Sequence, residues 1–188
     1  MRGEPYAHVS DVPVLCVYGN RKVHSFYDAA MVYDDTTNLK DRVHFQEVTE
    51  FTAFVTNDGY TVTPVPATHD RNENCLLYLI EKGGKTLFYA NDSGLFPEST
   101  WEFLKGKHLD LVNFDCTCIL EKDGKNHMGL PDNIEAKERL YALGCVDNTT
   151  KCVVTHFSHN YKLMHAEIEE AVGKYGFIPA FDGMELEI

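Results

Sequence analysis

Residues 60–94 read YTVTPVPATHDRNENCLLYLIEKGGKTLFYANDSG. Residues 60–66 alternate in the period of two that a half-buried strand requires, then enter the polar loop Ala67-Thr68-His69-Asp70. Residues 75–81 and 86–90 form two further β-rich runs. Gly83-Gly84 lies between them, a pair suited to the turn of a tight hairpin. The second run ends in another polar loop, Asn91-Asp92-Ser93-Gly94. This stretch therefore predicts strands that end in loops carrying a histidine and a carboxylate.

Working outward, residues 12–18 predict a strand closed by Gly19 and Asn20, and residues 21–31 a helix. Pro97 opens a helix through Leu104. Residues 109–114 form a buried strand ending in Asp115, and Pro131 starts an amphipathic helix over residues 132–143. Residues 152–155 are a short apolar strand ending at His156. Residues 161–175 predict a helix, with Ile168 and Val172 one turn apart. The tail, residues 177–188, predicts two short strands around Asp182-Gly183. Strands pair first through hairpins and then alternate with helices, which indicates an α/β (α+β) fold with a mixed sheet packed by helices. With no repeat, linker or low-complexity segment, residues 1–188 are expected to form a single domain.

The bulk properties narrow the partners. The 188 residues are 44% hydrophobic and 24% charged, with a formal net charge of -12. That acidic field repels nucleic acid and anionic membranes, so neither is expected as a partner. No apolar run approaches the roughly 20 residues that span a bilayer. The first residues, MRGEPYAH, lack the apolar core of a signal peptide, so a cytoplasmic location is expected. Cys16, Cys75, Cys116, Cys118, Cys145 and Cys152 contain no CxxC pair and are expected to be reduced thiols, several of them buried. Cys116-Thr117-Cys118 is a weaker candidate for a soft metal.

Four polar loops carry the candidate chemistry, each following an apolar strand. They present His69 (PVPATHD), Asp92 (YANDSG), Asp115 with His127 (NFDCTC and KNHMGLPDN), and His156 with His159 (VTHFSHN). Imidazole and carboxylate groups at neighbouring strand ends can converge on zinc, manganese or iron. A carboxylate shared by two cations would offset their repulsion and hold them roughly 3.5–4 Å apart. Each residue alone has a plainer reading: His69 and His127 as solvated loop histidines, and Asp92 as a turn former. His156, at a strand end with a second histidine three residues on, departs furthest from that reading.

Taken together, the motifs resemble the metallo-β-lactamase superfamily, and within it the PhnP-type phosphodiesterases. PVPATHD resembles the loop that supplies a metal-binding histidine, and FYANDSG the strand followed by a bridging aspartate. LVNFDCTC with NHMGLPDN resembles the strand end and histidine loop before a helix. VTHFSHN resembles the late histidine motif, and AFDGMELEI the closing segment. The resemblance implies an αββα sandwich and two divalent metal ions, zinc or manganese. His69 would bind one metal, Asp92 would bridge both, and His156 would bind the other. His127 would be a catalytic, non-ligand histidine near the substrate phosphate. His159 would contact a ligand side chain or the substrate. Phe181 stands where many members of the superfamily place a histidine before Asp-Gly-Met, a feature shared with the PhnP-type branch.

The departure is the HxHxDH signature, which occurs nowhere in the sequence. The resemblance covers the later part of the family's domain, so an N-terminally truncated sandwich and an incomplete two-metal site are expected. In the intact protein the implied activity is metal-dependent hydrolysis of a small or cyclic phosphodiester by a metal-bound hydroxide. This chain alone is expected to bind metal weakly and to have little activity. The alternatives are a non-catalytic binding or scaffold protein from a degenerate domain, and an RNase Z-like nuclease. A half sandwich would also leave apolar surface exposed, which a homodimer would cover.

Overall fold

The computed structural model describes residues 13–32 and 42–188. They fall into two compact units, divided between Thr49 and Glu50.

In the first unit, strand β1 (Leu15–Gly19) and strand β2 (Val43–Glu47) pair in parallel, from Leu15↔Val43 to Gly19↔Glu47. Helix α1 (Arg21–Met31) lies between them in sequence. The Asn20 side chain caps it by accepting from the Lys22 and Val23 amides, both at 3.0 Å. Tyr27 donates its hydroxyl to the Val43 carbonyl at 2.7 Å, and His24 stacks on Phe45 at 4.3 Å. Leu15, Phe26 and Val32 are exposed. Residue 12 of the expected first strand lies outside the described residues.

The second unit holds a seven-stranded sheet in the order β3-β4-β5-β6-β7-β8-β9. These strands are β3 (Phe54–Val55), β4 (Thr61–Pro66), β5 (Leu76–Lys82), β6 (Lys85–Ala90), β7 (Leu111–Asp115), β8 (Lys151–Thr155) and β9 (Ile178–Pro179). The first four are antiparallel, and β6 to β9 are parallel. The β5–β6 hairpin turns on Gly83 and Gly84, at φ 60° and 79°, both in the left-handed region that glycine enters without steric cost. Pro64 is tolerated inside β4 because its nitrogen faces the side where short β3 has already ended; there its carbonyl accepts from Phe51 N at 2.8 Å. Strand β7 (LVNFD) is buried along its whole length, as expected of a parallel strand covered on both faces.

Three helices complete this unit: α2 (Glu98–Leu104), α3 (Leu130–Ala142) and α4 (His165–Gly173). Their buried residues Trp101, Leu104, Leu140, Ile168 and Val172 join Val65, Leu77, Phe88, Val112 and Val154 from the sheet in one apolar core. This is the α/β fold, a mixed sheet packed by helices, that the strand and helix pattern predicts. Among the described residues, no helix is long and apolar enough to cross a membrane.

Two expected elements differ. The helix expected over residues 161–175 begins only at His165, after a short 3-10 turn, His159–Tyr161. Lys162 follows that turn at φ 57°, a left-handed conformation that an α-helix cannot contain. The tail does not form a hairpin. Its Asp182-Gly183 turn is present, closed by Met184 N donating to the Phe181 carbonyl at 3.0 Å. However, Ile178–Pro179 has already taken the parallel edge beside β8, and no strand follows the turn.

Candidate metal centre

The topology explains why four loops meet. Strands β6, β7 and β8 are parallel, and β4 is two antiparallel steps from β6, so all four end at the same edge of the sheet. Asp115 pairs with Thr155 in the last rung of β7 and β8, so the chain beyond both strands emerges at one level. Polar groups at such carboxyl ends are the usual ligand-binding positions of open α/β sheets. Further hydrogen bonds tie the loops together. Gly94 N donates to Thr68 O at 2.7 Å, Thr68 N to the buried Ser93 hydroxyl at 3.0 Å, and Leu95 N to Gly124 O at 3.0 Å.

Asp92 is the hub of the cluster. Its Oδ1 lies 3.5 Å from His69 Nδ1, 3.6 Å from His127 Nδ1 and 3.9 Å from His156 Nε2. The imidazoles also pack together, with ring centres 4.9 Å apart for His69 and His127 and 5.6 Å apart for His127 and His156. Asp92 and His156 both have left-handed backbones, at φ 60° and 66°. Such conformations in residues other than glycine cost roughly 1–3 kcal/mol and concentrate at functional sites.

Beneath this hub, the buried carboxylate of Asp115 organises the imidazoles. Its Oδ2 is 3.0 Å from His127 Nδ1, 3.1 Å from Thr117 Oγ1 and 3.3 Å from His156 Nδ1. Its Oδ1 accepts from the Thr117 amide at 2.8 Å and the Met128 amide at 3.1 Å. Thr117 Oγ1 also contacts His156 Nδ1 at 2.6 Å. One proton arrangement satisfies all of these groups. His127 donates to Asp115, His156 donates to the Thr117 oxygen, and the Thr117 hydroxyl donates to Asp115. Both histidines then carry their proton on Nδ1, which leaves Nε2 able to accept a cation. His69 Nδ1 is bonded in the same way to the Asn126 carbonyl at 2.9 Å.

The donor set fits a divalent transition metal. Asp92, Asp115, His127 and His156 offer ligand atoms within 4.8 Å of one another. Two ligands on one tetrahedral zinc, each about 2.1 Å from the ion, stand about 3.4 Å apart. The Asp92 separation from His156 Nε2 is near that spacing, and His156 Nε2 is a nitrogen that the hydrogen bonds leave open. The closer contacts made by Asp115 are hydrogen bonds instead.

The structure therefore brings His69, Asp92, His127 and His156 together. The compact four-residue group includes Asp115 and His127, with His69 at its border. His159 stands exposed on the 3-10 turn, outside that group. Asp115 and Thr117 are the functional candidates missing from the expected ligand set. The signal for Asp115 was its place at the end of a buried strand; for Thr117 there was none beyond adjacency. Neither Cys116 nor Cys118 belongs to the compact group. Burial, with the nearby Asp115 charge, pushes the Cys116 thiol up to about 12, so it stays protonated at neutral pH.

A family model described as the beta-lactamase superfamily domain matches residues 6–157, a span that contains all five clustered residues. The chain belongs to that superfamily. Solved structures with the same fold include the metallo-beta-lactamase fold protein YhfI from Bacillus subtilis, with a TM-score of 0.64 and 16% identity over 91% of this chain and 64% of that one. The zinc-bound PqqB from Methylobacterium extorquens has a TM-score of 0.61 and 18% identity over 93% of this chain and 63% of that one. The isothiocyanate hydrolase from Delia radicum gut bacteria has a TM-score of 0.62 and 14% identity, over 93% and 67%. This chain thus spans a little under two thirds of the length of YhfI and PqqB. No curated protein sequence matches it.

Proposed function

We propose that this chain contributes the Asp92-centred part of a metal-dependent hydrolase site acting on a small or cyclic phosphodiester. The observation that carries the reading is the contact of one exposed carboxylate, Asp92, with three imidazoles whose outer hydrogen bonds are already made. His69, Asp92 and His156 would hold zinc or manganese. When bound, such an ion supplies Lewis acidity and an acidified water. The chain's own residues do the rest. Asp115 and Thr117 fix the His156 ring. His127, held on its Nδ1 side by Asp115, presents its other ring edge to charge developing on phosphate or on the leaving oxygen. Support for the PhnP-type placement comes from the motif wording and from Phe181 before Asp-Gly-Met. The -12 net charge favours a small substrate over RNA.

The experiment is a zinc titration monitored by histidine NMR, paired with hydrolysis of bis(p-nitrophenyl) phosphate in zinc or manganese. Expected are weak zinc binding that moves the His69 and His156 resonances and slow diester cleavage, both lost in Asp92→Asn. Unchanged resonances at saturating zinc, or equal cleavage by the variant, would overturn the reading.

A further inference from the structure

Beside His69 opens a cavity of about 500 Å³, walled by the loop after β4 and the loop that carries His127. One wall presents Arg71 and the other Lys125. Two overlapping cavities share this pair together with His69 and Asn126. The His69–Asn126 hydrogen bond of 2.9 Å ties the two walls, so the loops that carry both cations share a frame with the Asp92 cluster.

Three carboxylates line these overlapping cavities; Asp70 and Asp123 are bonded within their own loops, and Glu73 lines only the second cavity. Asp70 Oδ1 accepts from the Asn72 amide at 2.9 Å and from its side chain at 3.2 Å. Asp123 Oδ2 accepts from the amides of Asn126 and His127, both at 3.3 Å. Arg71 and Lys125, in contrast, have no ion-pair partner among the described residues. In a chain with 29 acidic and 17 basic residues, two unpaired cations facing one cavity are out of keeping with the general surface. Both side chains are exposed. A guanidinium supplies a planar fork for an oxyanion and an ammonium supplies a mobile point charge, a combination suited to one anionic group.

We infer that Arg71 and Lys125 form an oxyanion subsite that holds a phosphate or carboxylate on the non-reacting part of the substrate. It would position the reacting ester against the Asp92 cluster. The assignment rests on the proposed hydrolase reading for its purpose, but not for its test. Binding energy from a remote group of this kind serves to orient the reacting centre.

The test is a titration of the metal-free full chain with inorganic phosphate, and separately with acetate, followed by amide NMR. Expected are shifts confined to residues 69–72 and 124–126. Affinity should fall about tenfold or more in the Arg71→Gln/Lys125→Gln double variant, as loss of charge-assisted hydrogen bonds requires. Tighter phosphate binding would identify a phosphorylated substrate; tighter acetate binding would identify a carboxylated one. Both results support the subsite. No local shift with either anion, or equal affinity in the double variant, would overturn it. Chelation of metal throughout keeps this result independent of hydrolysis. A thermal melt of the double variant unchanged from the parent shows that the fold is retained.

Discussion

Asp115 and His127 meet at 3.0 Å, a buried carboxylate at a strand end holding an imidazole twelve residues beyond it. Four donors converge on this one carboxylate, two amides, one hydroxyl and one imidazole, and His156 Nδ1 lies 3.3 Å away. Its removal strands all of them at once. Asp115→Ala should cost about 3 kcal/mol of stability, because buried donors left without acceptors lose more than an average hydrogen bond contributes. Urea denaturation measures this directly. Asp115→Asn, which keeps one acceptor oxygen, should cost less. Equal loss in both variants would mean that the carboxylate charge, and not its acceptor geometry, holds the loop.

Much of this arrangement can be read from the sequence, and the exceptions have physical causes. The hairpin through Gly83-Gly84 and the strand ending in Asp115 follow from local turn chemistry and apolar runs, and the structure has both. The convergence of His69, Asp92, His127 and His156 follows from their common position after strands. What local pattern cannot supply is side-chain orientation. Thr117 acts through a 2.6 Å contact with a residue 39 positions away, and threonine after a strand has no distinctive spacing. The tail failed for a related reason. A glycine turn predicts a hairpin, but the parallel pairing of β8 with residues 178–179 already fills the edge of the sheet.

The Thr117 hydroxyl should matter to metal binding more than to folding. Thr117→Val keeps the shape and removes the bridge among Asp115, His127 and His156. Loss of such an outer hydrogen bond typically lowers metal affinity 10–100-fold, so a drop of at least about tenfold is expected. Calorimetry with zinc reports the affinity and urea denaturation the stability. A large stability loss with unchanged affinity would assign Thr117 a packing role instead.

Gly94 marks where two site loops touch. A Cβ built there would lie 2.3 Å from the Lys125 carbonyl oxygen, which is backbone and cannot swing aside. Gly94→Ala must therefore separate the Asp92 loop from the His127 loop, breaking the Leu95–Gly124 hydrogen bond of 3.0 Å. The expected cost is roughly 1–3 kcal/mol, the usual range for forced overpacking. The thermal midpoint should fall, and the amide resonances of residues 123–127 should move while those of the β5–β6 hairpin stay in place. An unshifted 123–127 segment would show that the contact is not maintained in solution.

The buried thiols set a limit on alkaline stability. Cys116, Cys118, Cys145 and Cys152 are buried, whereas Cys16 and Cys75 are partly accessible. For Cys116, burial raises the thiol from its ordinary 9.0 to about 12 in the folded chain. A raised folded value means that the unfolded chain releases this proton first. The resulting stabilisation is complete below pH 9 and is lost progressively as pH rises toward about 12. Urea midpoints should therefore fall with pH across this window, more steeply in the parent than in Cys116→Ala. That variant starts lower because it leaves a small cavity in the core. A thiol reagent at pH 8 should modify Cys16 and Cys75 quickly and the four buried thiols only on unfolding. Rapid native modification of Cys116, or parallel pH profiles for parent and variant, would show that the base of the site opens to water.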